Sequence, residues 1–335
     1  DNILNGVFTP GEKLPSLRQL HQKLGLSIST VHQAYIELEK RGRVEAREKS
    51  GFYVKAMDKN LLSRPAPITK VSQPCRVMVN QMAENIIIDL QDQDMIQFGA
   101  AIPARELMPL KQLSRIMKSI PASDLQDFLS SYDLCAGNVE LREELARRML
   151  GIACTTVTAD DIVTTNGCLE SVTFCLRAVV DPGDTILVES PVFHCFLQLI
   201  EDLNLKVLEI PGCPEDGISP ELFGQSIRDN SVKACLLNSN FHNPLGSVMP
   251  DSNKRKILNI ARNNRIPIIE DDLYGDLYHG DKRPGTFKSM DEDGTVLYCS
   301  SFSKSLSPGL RTGWAVPGRY LKDVVRLKLN TSVSN

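Results

Sequence analysis

The stretch SSFSKSLSPGLRTGW at residues 300–314 directly follows the apolar run VLYC at 296–299. Such an apolar run is typical of a buried strand, and the serine- and glycine-rich stretch is typical of the loop after it. Lys304 is therefore predicted at the carboxyl end of a strand, where open α/β sheets bind ligands. Single lysines usually lie on the surface. Here, however, Lys304 has neighbours whose donors suit a phosphate dianion. These are the hydroxyl groups of Ser301 and Ser303 and the guanidinium group of Arg311.

Upstream of this stretch, apolar β-type runs alternate with segments of helical spacing. The runs are IVTT at 162–165, TILVES at 185–190, KVLEI at 206–210, ACLLN at 234–238, IPIIED at 266–271 and VLYCSS at 296–301. Helical composition and spacing occur at 140–150 and 253–264. This alternation predicts an α/β domain with a mainly parallel sheet.

A second predicted strand end carries an acidic pair. IIEDDLYGD at 268–276 places Asp271 and Asp272 after an apolar run, with Tyr274 close behind. A carboxylate at Asp271 could keep a pyridinium nitrogen protonated, which a pyridoxal phosphate ring needs in order to act as an electron sink. An acidic pair in this place can equally cap a helix or bind a metal, and Asp272 remains an alternative to Asp271.

Two more strand ends supply groups for an anion and a phenolate. The motif TTNGCLES at 164–171 places Gly167, Cys168 and Leu169 at the start of a predicted helix. Backbone amides at the start of a helix bind anions. The motif NFHNPLGS at 240–247 contains Asn243, whose amide could donate to a phenolate oxygen. Together with Lys304, these strand ends predict a site for a phosphorylated aromatic aldehyde.

The first sixty residues have a different pattern. Ser16 stands where an N-cap would, ahead of leucines at helical spacing, and Gly25 ends that helix. Ser27 can cap a second helix, which Gly42 ends and whose apolar residues are Val31, Ala34, Tyr35 and Leu38. The segments RVEAR and GFYV follow on either side of Lys49-Ser50-Gly51 and predict a two-strand ribbon. The pattern predicts a helix-turn-helix with a wing, although a small helical adaptor has the same spacing.

The run PGEKLPSLRQLHQKLGLSISTVHQAYIELEKRG at 10–42, with SGFYV at 50–54, resembles the GntR-type winged-helix DNA-binding domain. The resemblance implies that Ser16, Arg18 and Lys49 contact DNA phosphates and that Ser29, Thr30 and His32 lie in the major groove. It also implies DNA contacts by Ser27 at the start of the second helix and by Gly51 at the wing tip. The first helix of the family is nearly absent and the chain has no initiator Met. We therefore expect the numbered sequence to begin inside a longer protein.

Residues 97–330 resemble the class I and II aminotransferases of fold type I in the motifs described above. The resemblance implies pyridoxal 5'-phosphate as cofactor, with Lys304 as the internal aldimine lysine and Asp271 as the partner of the pyridine nitrogen. The other implied contacts are Tyr274 and Asn243 at the ring hydroxyl, Phe193 stacked on the ring, and Gly167, Cys168, Leu169, Ser301, Ser303, Arg311 and a neighbouring subunit's copy of Tyr132 at the phosphate.

Two departures from that family concern the substrate. FGAAIP at 98–103 resembles a substrate-facing Gly-Gly segment, but Ala100 and Ala101 replace both glycines and leave less room. The chain also stops at Asn335, before the family's C-terminal small domain, which carries the arginine for the substrate carboxylate. We therefore expect either a fragment or a molecule without that substrate site.

Three prolines in LLSRPAPITKVSQPCRV at 61–77 predict a linker between the winged-helix region and the aminotransferase-like region. The predicted domains are a winged helix at 1–57, a linker at 58–84 and an aminotransferase-like domain at 85–335. This architecture resembles the MocR subgroup of GntR regulators. It implies a transcription regulator that binds operator DNA and pyridoxal phosphate and senses a metabolite, such as an amino acid, or the cofactor itself.

Two other functions share these features. One is an active aminotransferase of an amino acid, and the other is a degenerate domain that serves only for dimerisation. The presence of Lys304 and Asp271 disfavours the degenerate domain. A homodimer is expected in each case, because a helix-turn-helix reads only a few base pairs and two-fold dimers read two half-sites.

Composition and charge exclude several other classes. Of the 335 residues, 42% are hydrophobic and 24% are charged. The sequence contains no apolar stretch long enough for a membrane span and begins without a signal peptide pattern. These features together predict a cytoplasmic protein. Nine scattered cysteines with no C-x-x-C pair disfavour a disulfide framework or a zinc site. Residues 1–60 carry a net charge of +3 and the remainder −6, which favours a nucleic-acid-facing N-terminal unit.

Overall fold

The computed structural model describes residues 3, 8–47, 50–55, 71–80, 101–133, 135–152, 154 and 156–334. They form two compact units, one within residues 1–66 and one within 67–335. Lys49 and Ala100 lie outside the described residues, as do the predicted domain boundaries at 57–58 and 84–85. The boundaries and the roles of these two residues therefore stay predictions. Within the predicted linker, however, Cys75 and Arg76 pair with Val207 and Lys206, so this part of it belongs to the C-terminal unit.

The N-terminal unit contains α1 (Leu17–Leu24), α2 (Ile28–Lys40), β1 (Val44–Arg47) and β2 (Gly51–Val54). Ser16 caps α1, because its hydroxyl accepts from the Gln19 amide at 3.3 Å while the Gln19 side chain accepts from the Ser16 amide at 2.8 Å. Gly25 ends α1 in the left-handed conformation, with a φ of 66°. The antiparallel ribbon places Val44 opposite Val54. The predicted helix-turn-helix with a wing is confirmed.

A small apolar core holds this unit together. Its buried members include Leu14, Tyr35 and Val44. The Tyr35 hydroxyl donates to the Pro15 carbonyl oxygen at 2.7 Å, which ties α2 to the segment before α1. Ala34 was predicted on the same apolar face but is exposed, because so small a unit covers only a narrow stripe of α2.

Removal of the α2 cap should loosen the first turn of that helix. The Ser27 hydroxyl accepts from the Thr30 amide at 3.1 Å, and loss of such a cap costs about 1 kcal/mol. Amide hydrogen exchange in the full chain should therefore be about fivefold faster at Thr30 in Ser27→Ala than in the wild type. Gln33→Ala is the matched control, because Gln33 is exposed on α2 beyond the capped turn. Equal exchange in the two variants would contradict the role of Ser27.

The C-terminal unit is a sheet with helices on both faces. Its strands are β3 (Cys75–Arg76), β4 (Val163–Thr165), β5 (Thr185–Ser190), β6 (Lys206–Cys213), β7 (Gly217–Ile218), β8 (Val232–Leu237), β9 (Ile268–Asp271), β10 (Val296–Ser301) and β11 (Gly313–Val316). Its helices are α3 (Leu110–Ser119), α4 (Ala122–Ser130), α5 (Val139–Gly151), α6 (Cys168–Val179), α7 (His194–Asp202), α8 (Pro220–Asp229), α9 (Asp251–Asn263) and α10 (Leu321–Leu329).

The strands lie in the order β3-β6-β5-β8-β9-β10-β11-β4, with β7 paired to β6. The neighbours from β6 to β10 are parallel, whereas β11 is antiparallel to both β10 and β4. The predicted α/β domain with a mainly parallel sheet is confirmed. Strand β11 was not predicted, because it is short and begins at a glycine. A side chain at Gly313 would collide with the Gly167 backbone, so this strand needs the glycine.

Alternate residues of β5 pack on opposite faces of the sheet, as the two-residue period of a strand requires. Ile186 and Val188 join a core that includes residues of α6, α7 and α10. Leu187 joins a second core, with residues of α8 and α9. Within the described part of the chain, no helix has the length and apolar character needed to cross a bilayer.

Candidate functional site

A cavity of about 410 Å³ lies where the parallel strands end. The loops after β5, β8, β9 and β10 meet there, because parallel strands present their carboxyl ends to one edge. Ten residues predicted to contact the cofactor line the cavity: Cys168, Leu169, Phe193, Asn243, Asp271, Tyr274, Ser301, Ser303, Lys304 and Arg311. The fold thus brings residues from widely separated motifs together.

Lys304 lies in the loop after β10 and is partly buried in the cavity wall. Its Nζ donates to the Ala101 carbonyl oxygen at 2.9 Å and lies 5.9 Å from the centre of the Tyr274 ring. Burial lowers the pKa of Lys304, and the positive charge of Arg311 lowers it slightly further. The negative charge of Asp271 opposes this shift by raising the pKa. A lower pKa increases the neutral fraction of the amine, which is the form that attacks a carbonyl carbon.

Asp271 is the last residue of β9 and only 4% exposed. Its Oδ1 accepts from the Cys168 thiol and from the Leu273 amide, each at 3.2 Å, and its Oδ2 accepts from the Asn238 side-chain amide at 3.1 Å. Burial raises the pKa of Asp271 to about 6, and the hydrogen bonds from Cys168 and Asn238 oppose that rise. The carboxylate is thus held in place and ionised at neutral pH.

Asp272 is also buried but does not line the cavity. Its Oδ2 lies 2.5 Å from Nη2 of Arg283 and accepts from the Tyr298 hydroxyl at 2.7 Å. Asp272 is therefore committed to a buried ion pair. The alternative that the sequence left open, with Asp272 in place of Asp271 at the cofactor, has no geometric support.

Arg311 and the N-terminus of α6 form a candidate phosphate site. The Arg311 Nη2 donates to the Asn166 carbonyl oxygen at 2.9 Å, and its Nη1 donates to the Ser303 hydroxyl at 3.4 Å. Gly167 precedes α6 with a φ of 89°, and a side chain there would collide with the guanidinium. Gly167 thus lets the guanidinium approach the helix N-terminus, and both groups attract anions.

Two polar residues and an aromatic ring form another part of the cavity wall. The Asn243 side-chain amide donates to the Tyr274 hydroxyl oxygen at 3.3 Å. Burial raises the pKa of Tyr274 to about 12, which keeps this hydroxyl protonated at neutral pH. The Phe193 ring packs edge-on against Phe196, with centroids 5.5 Å apart, and this contact fixes its orientation.

Several residues of the site were not identified from the sequence. His194 and Cys195 line the cavity because α7 begins directly after Phe193, and that adjacency was the available signal. Asn238 contacts Asp271 only because β8 and β9 are neighbours. Tyr132 does not line this cavity and is 85% exposed, so its predicted contact with a second subunit remains a prediction.

The described residues of the N-terminal unit offer a polar, exposed face. Ser16 and Ser27 cap the two helices, and the hydroxyls of Ser29 and Thr30 each lie 2.8 Å from the Ser27 hydroxyl. Exposed side chains at Arg18 and His32 lie on α1 and α2 respectively.

The wing that follows α2 carries basic groups. Gly51 has a φ of 110°, which favours glycine at the wing. The Arg47 guanidinium lies 4.2 Å from the centre of the Tyr53 ring, and Lys13 Nζ lies 5.9 Å from it. These two basic residues beside the wing were not identified from the sequence.

Comparison with known proteins assigns each unit to a family. Residues 1–54 match the gntR family of bacterial regulatory proteins, and residues 94–327 match the aminotransferases of class I and II. The HTH-type transcriptional regulator YjiR of Escherichia coli (strain K12) is 40% identical over 335 residues, covering 100% of this chain and 71% of the relative. YdcR of the same organism is 36% identical over 337 residues, covering 100% and 70%.

A solved structure shows the same fold for the larger unit. The α-aminoadipate aminotransferase LysN of Thermus thermophilus, complexed with N-(5'-phosphopyridoxyl)-L-leucine, matches with a TM-score of 0.65 and 23% identity. The match covers 74% of this chain and 63% of that one, so the chain spans less than two thirds of the enzyme's length. With a GntR-type winged helix followed by a fold type I aminotransferase-like domain, this chain belongs to the MocR subgroup of GntR-type transcription regulators.

Proposed function

We propose that this regulator binds pyridoxal 5'-phosphate in the cavity and senses a metabolite, such as an amino acid, or the cofactor itself. The supporting observation is the placement of Lys304, Asp271 and Arg311 around one cavity. They offer an amine for a carbonyl carbon, a buried carboxylate for a ring nitrogen and a cation for a phosphate. A volume of about 410 Å³ is typical of small-molecule sites.

Different residues of the cavity contact different parts of the proposed cofactor. Asp271 keeps a proton on the ring nitrogen, Asn243 and Tyr274 bind the ring hydroxyl, and Phe193 covers one face of the ring. Arg311 and the first amides of α6 bind the phosphate. When bound, pyridoxal phosphate supplies an electron sink for reactions at the α-carbon of an amino acid.

The N-terminal unit binds operator DNA, and a homodimer presents two copies of α2 to two half-sites. Occupancy of the cavity then changes the affinity of the dimer for its operator. Measuring operator affinity with and without pyridoxal phosphate, and with each of a panel of amino acids, tests this proposal.

Transamination of an amino acid is a second candidate function. The lowered pKa of Lys304 favours it, because a neutral amine can accept a proton from a substrate. Incubating the loaded protein with amino acids, with and without operator DNA, separates the two functions. Release of a keto acid supports the enzyme, whereas an altered DNA affinity without that release supports the regulator.

Arg18→Ala should weaken binding to all DNA sequences alike. The exposed guanidinium on α1 is placed for a phosphate, and loss of one phosphate contact reduces the salt dependence of binding by about one unit. Binding isotherms at two salt concentrations, on a selected operator and on a scrambled duplex, measure this change. Arg255→Ala, which removes an exposed charge from α9, is the control and should bind DNA normally.

His32→Ala should instead change which operator is preferred, by about 1–3 kcal/mol if its ring contacts a base edge. The same isotherms measure this preference. If His32 merely covers the surface of α2, neither affinity nor preference will change. Loss of specificity in Arg18→Ala with none in His32→Ala would show that the recognition helix is oriented differently.

A further inference from the structure

The ring-nitrogen partner proposed above has an unusual neighbour in Cys168. This cysteine is the first residue of α6, is 8% exposed, and donates its thiol hydrogen to Oδ1 of Asp271 at 3.2 Å. Burial and the adjacent carboxylate raise the pKa of the Cys168 thiol well above its ordinary value. The thiol therefore stays protonated and acts as a donor.

We propose that Cys168 is a positioning residue that orients the Asp271 carboxylate toward the cavity through a weak S–H hydrogen bond. The Leu273 backbone amide also donates to Oδ1, and the Asn238 amide donates to the other oxygen, so the thiol completes a set of three donors that fixes the carboxylate. The inference rests on the proposed cofactor site.

The position of Cys168 gives this contact a further consequence. Its backbone amide belongs to the helix N-terminus proposed for the phosphate, while its side chain touches the carboxylate proposed for the ring nitrogen. One residue thus fixes the spacing between the two anchoring groups for the cofactor. A shift of α6 at the phosphate would move the Asp271 contact with it.

The contact can be tested in the cofactor-free protein by infrared spectroscopy of the S–H stretch. The difference between wild type and Cys168→Ser isolates the Cys168 band, and the difference between wild type and Cys235→Ala isolates the band of a buried thiol on β8. We expect the Cys168 band at lower wavenumber than the Cys235 band, and a move toward it in Asp271→Asn. A Cys168 band that Asp271→Asn leaves unchanged would overturn the inference.

Titration with pyridoxal phosphate tests the consequence for binding. Cys168→Ala should weaken cofactor affinity about fivefold, because Asp271 loses one of its donors, whereas Cys168→Ser should largely restore it. Cys235→Ala controls for loss of a buried thiol and should bind normally. If the wild type does not bind the cofactor, the proposed function fails while the infrared result still stands. If the wild type binds and Cys168→Ala binds equally well, the inference about Cys168 fails alone.

Discussion

Lys304→Ala should abolish covalent attachment of pyridoxal phosphate to the protein. Among the lysines of the described residues, Lys304 is the one that lines the cavity, and burial lowers its pKa toward the range in which an amine attacks a carbonyl. Incubation with the cofactor, borohydride reduction and mass spectrometry of the intact chain measure the attachment. We expect one stable adduct on the wild type and none on the variant.

A matched control distinguishes a specific site from general lysine reactivity. Lys282→Ala removes an exposed lysine outside the cavity and should carry the same adduct as the wild type. Peptide mapping of the wild-type adduct should place it on Lys304. A borohydride-stable adduct that persists in Lys304→Ala would show that another amine holds the cofactor, and the proposed site would then be wrong.

Local sequence patterns were sufficient to place the principal residues of this site. Asp271 ends β9 and Lys304 follows β10, as their motifs predicted, because an apolar run and the polar loop after it are adjacent in the chain. The helix caps at Ser16 and Ser27 were readable for the same reason. Each of these features depends on a few consecutive residues.

Contacts between distant segments could not be predicted in this way. The Ala101 carbonyl that accepts from Lys304 lies 203 residues away in the chain, and its position depends on the assembled unit. The thiol contact of Cys168 with Asp271 requires α6 to begin beside the end of β9. A sequence pattern identifies both residues as candidates, but only the packing of helix against sheet shows that they touch.

The two neighbouring aspartates show how the sheet separates roles that the sequence leaves equivalent. Asp271 ends β9 and lines the cavity, whereas Asp272 lies just after the strand and pairs with Arg283. The guanidinium neutralises Asp272, whereas no cation among the described residues forms an ion pair with Asp271. Asp271 is therefore the carboxylate that a protonated ring nitrogen would satisfy, and its pKa of about 6 is consistent with a charge that burial makes costly.

Asp271→Asn should leave the cofactor bound but suppress exchange of the α-proton of a bound amino acid. A neutral amide cannot stabilise a protonated ring nitrogen, so the ring withdraws electrons less effectively, whereas Lys304 and Arg311 still hold the cofactor. We expect the exchange rate to fall by at least about a hundredfold, in line with loss of one electrostatic contact to a developing charge. Proton NMR of amino acids in deuterated buffer measures the rate.

Asp272→Asn is the isosteric control for this prediction. It breaks one of the two ion pairs of Arg283, which keeps Asp276 as a partner, so we expect stability to fall by about 1.5–3 kcal/mol with an unchanged exchange rate in the folded fraction. Thermal unfolding and cofactor absorbance report the folded fraction independently of exchange. An exchange rate that survives in Asp271→Asn and is lost in Asp272→Asn would transfer the role of ring partner to Asp272, because only the carboxylate facing the ring nitrogen can control its protonation.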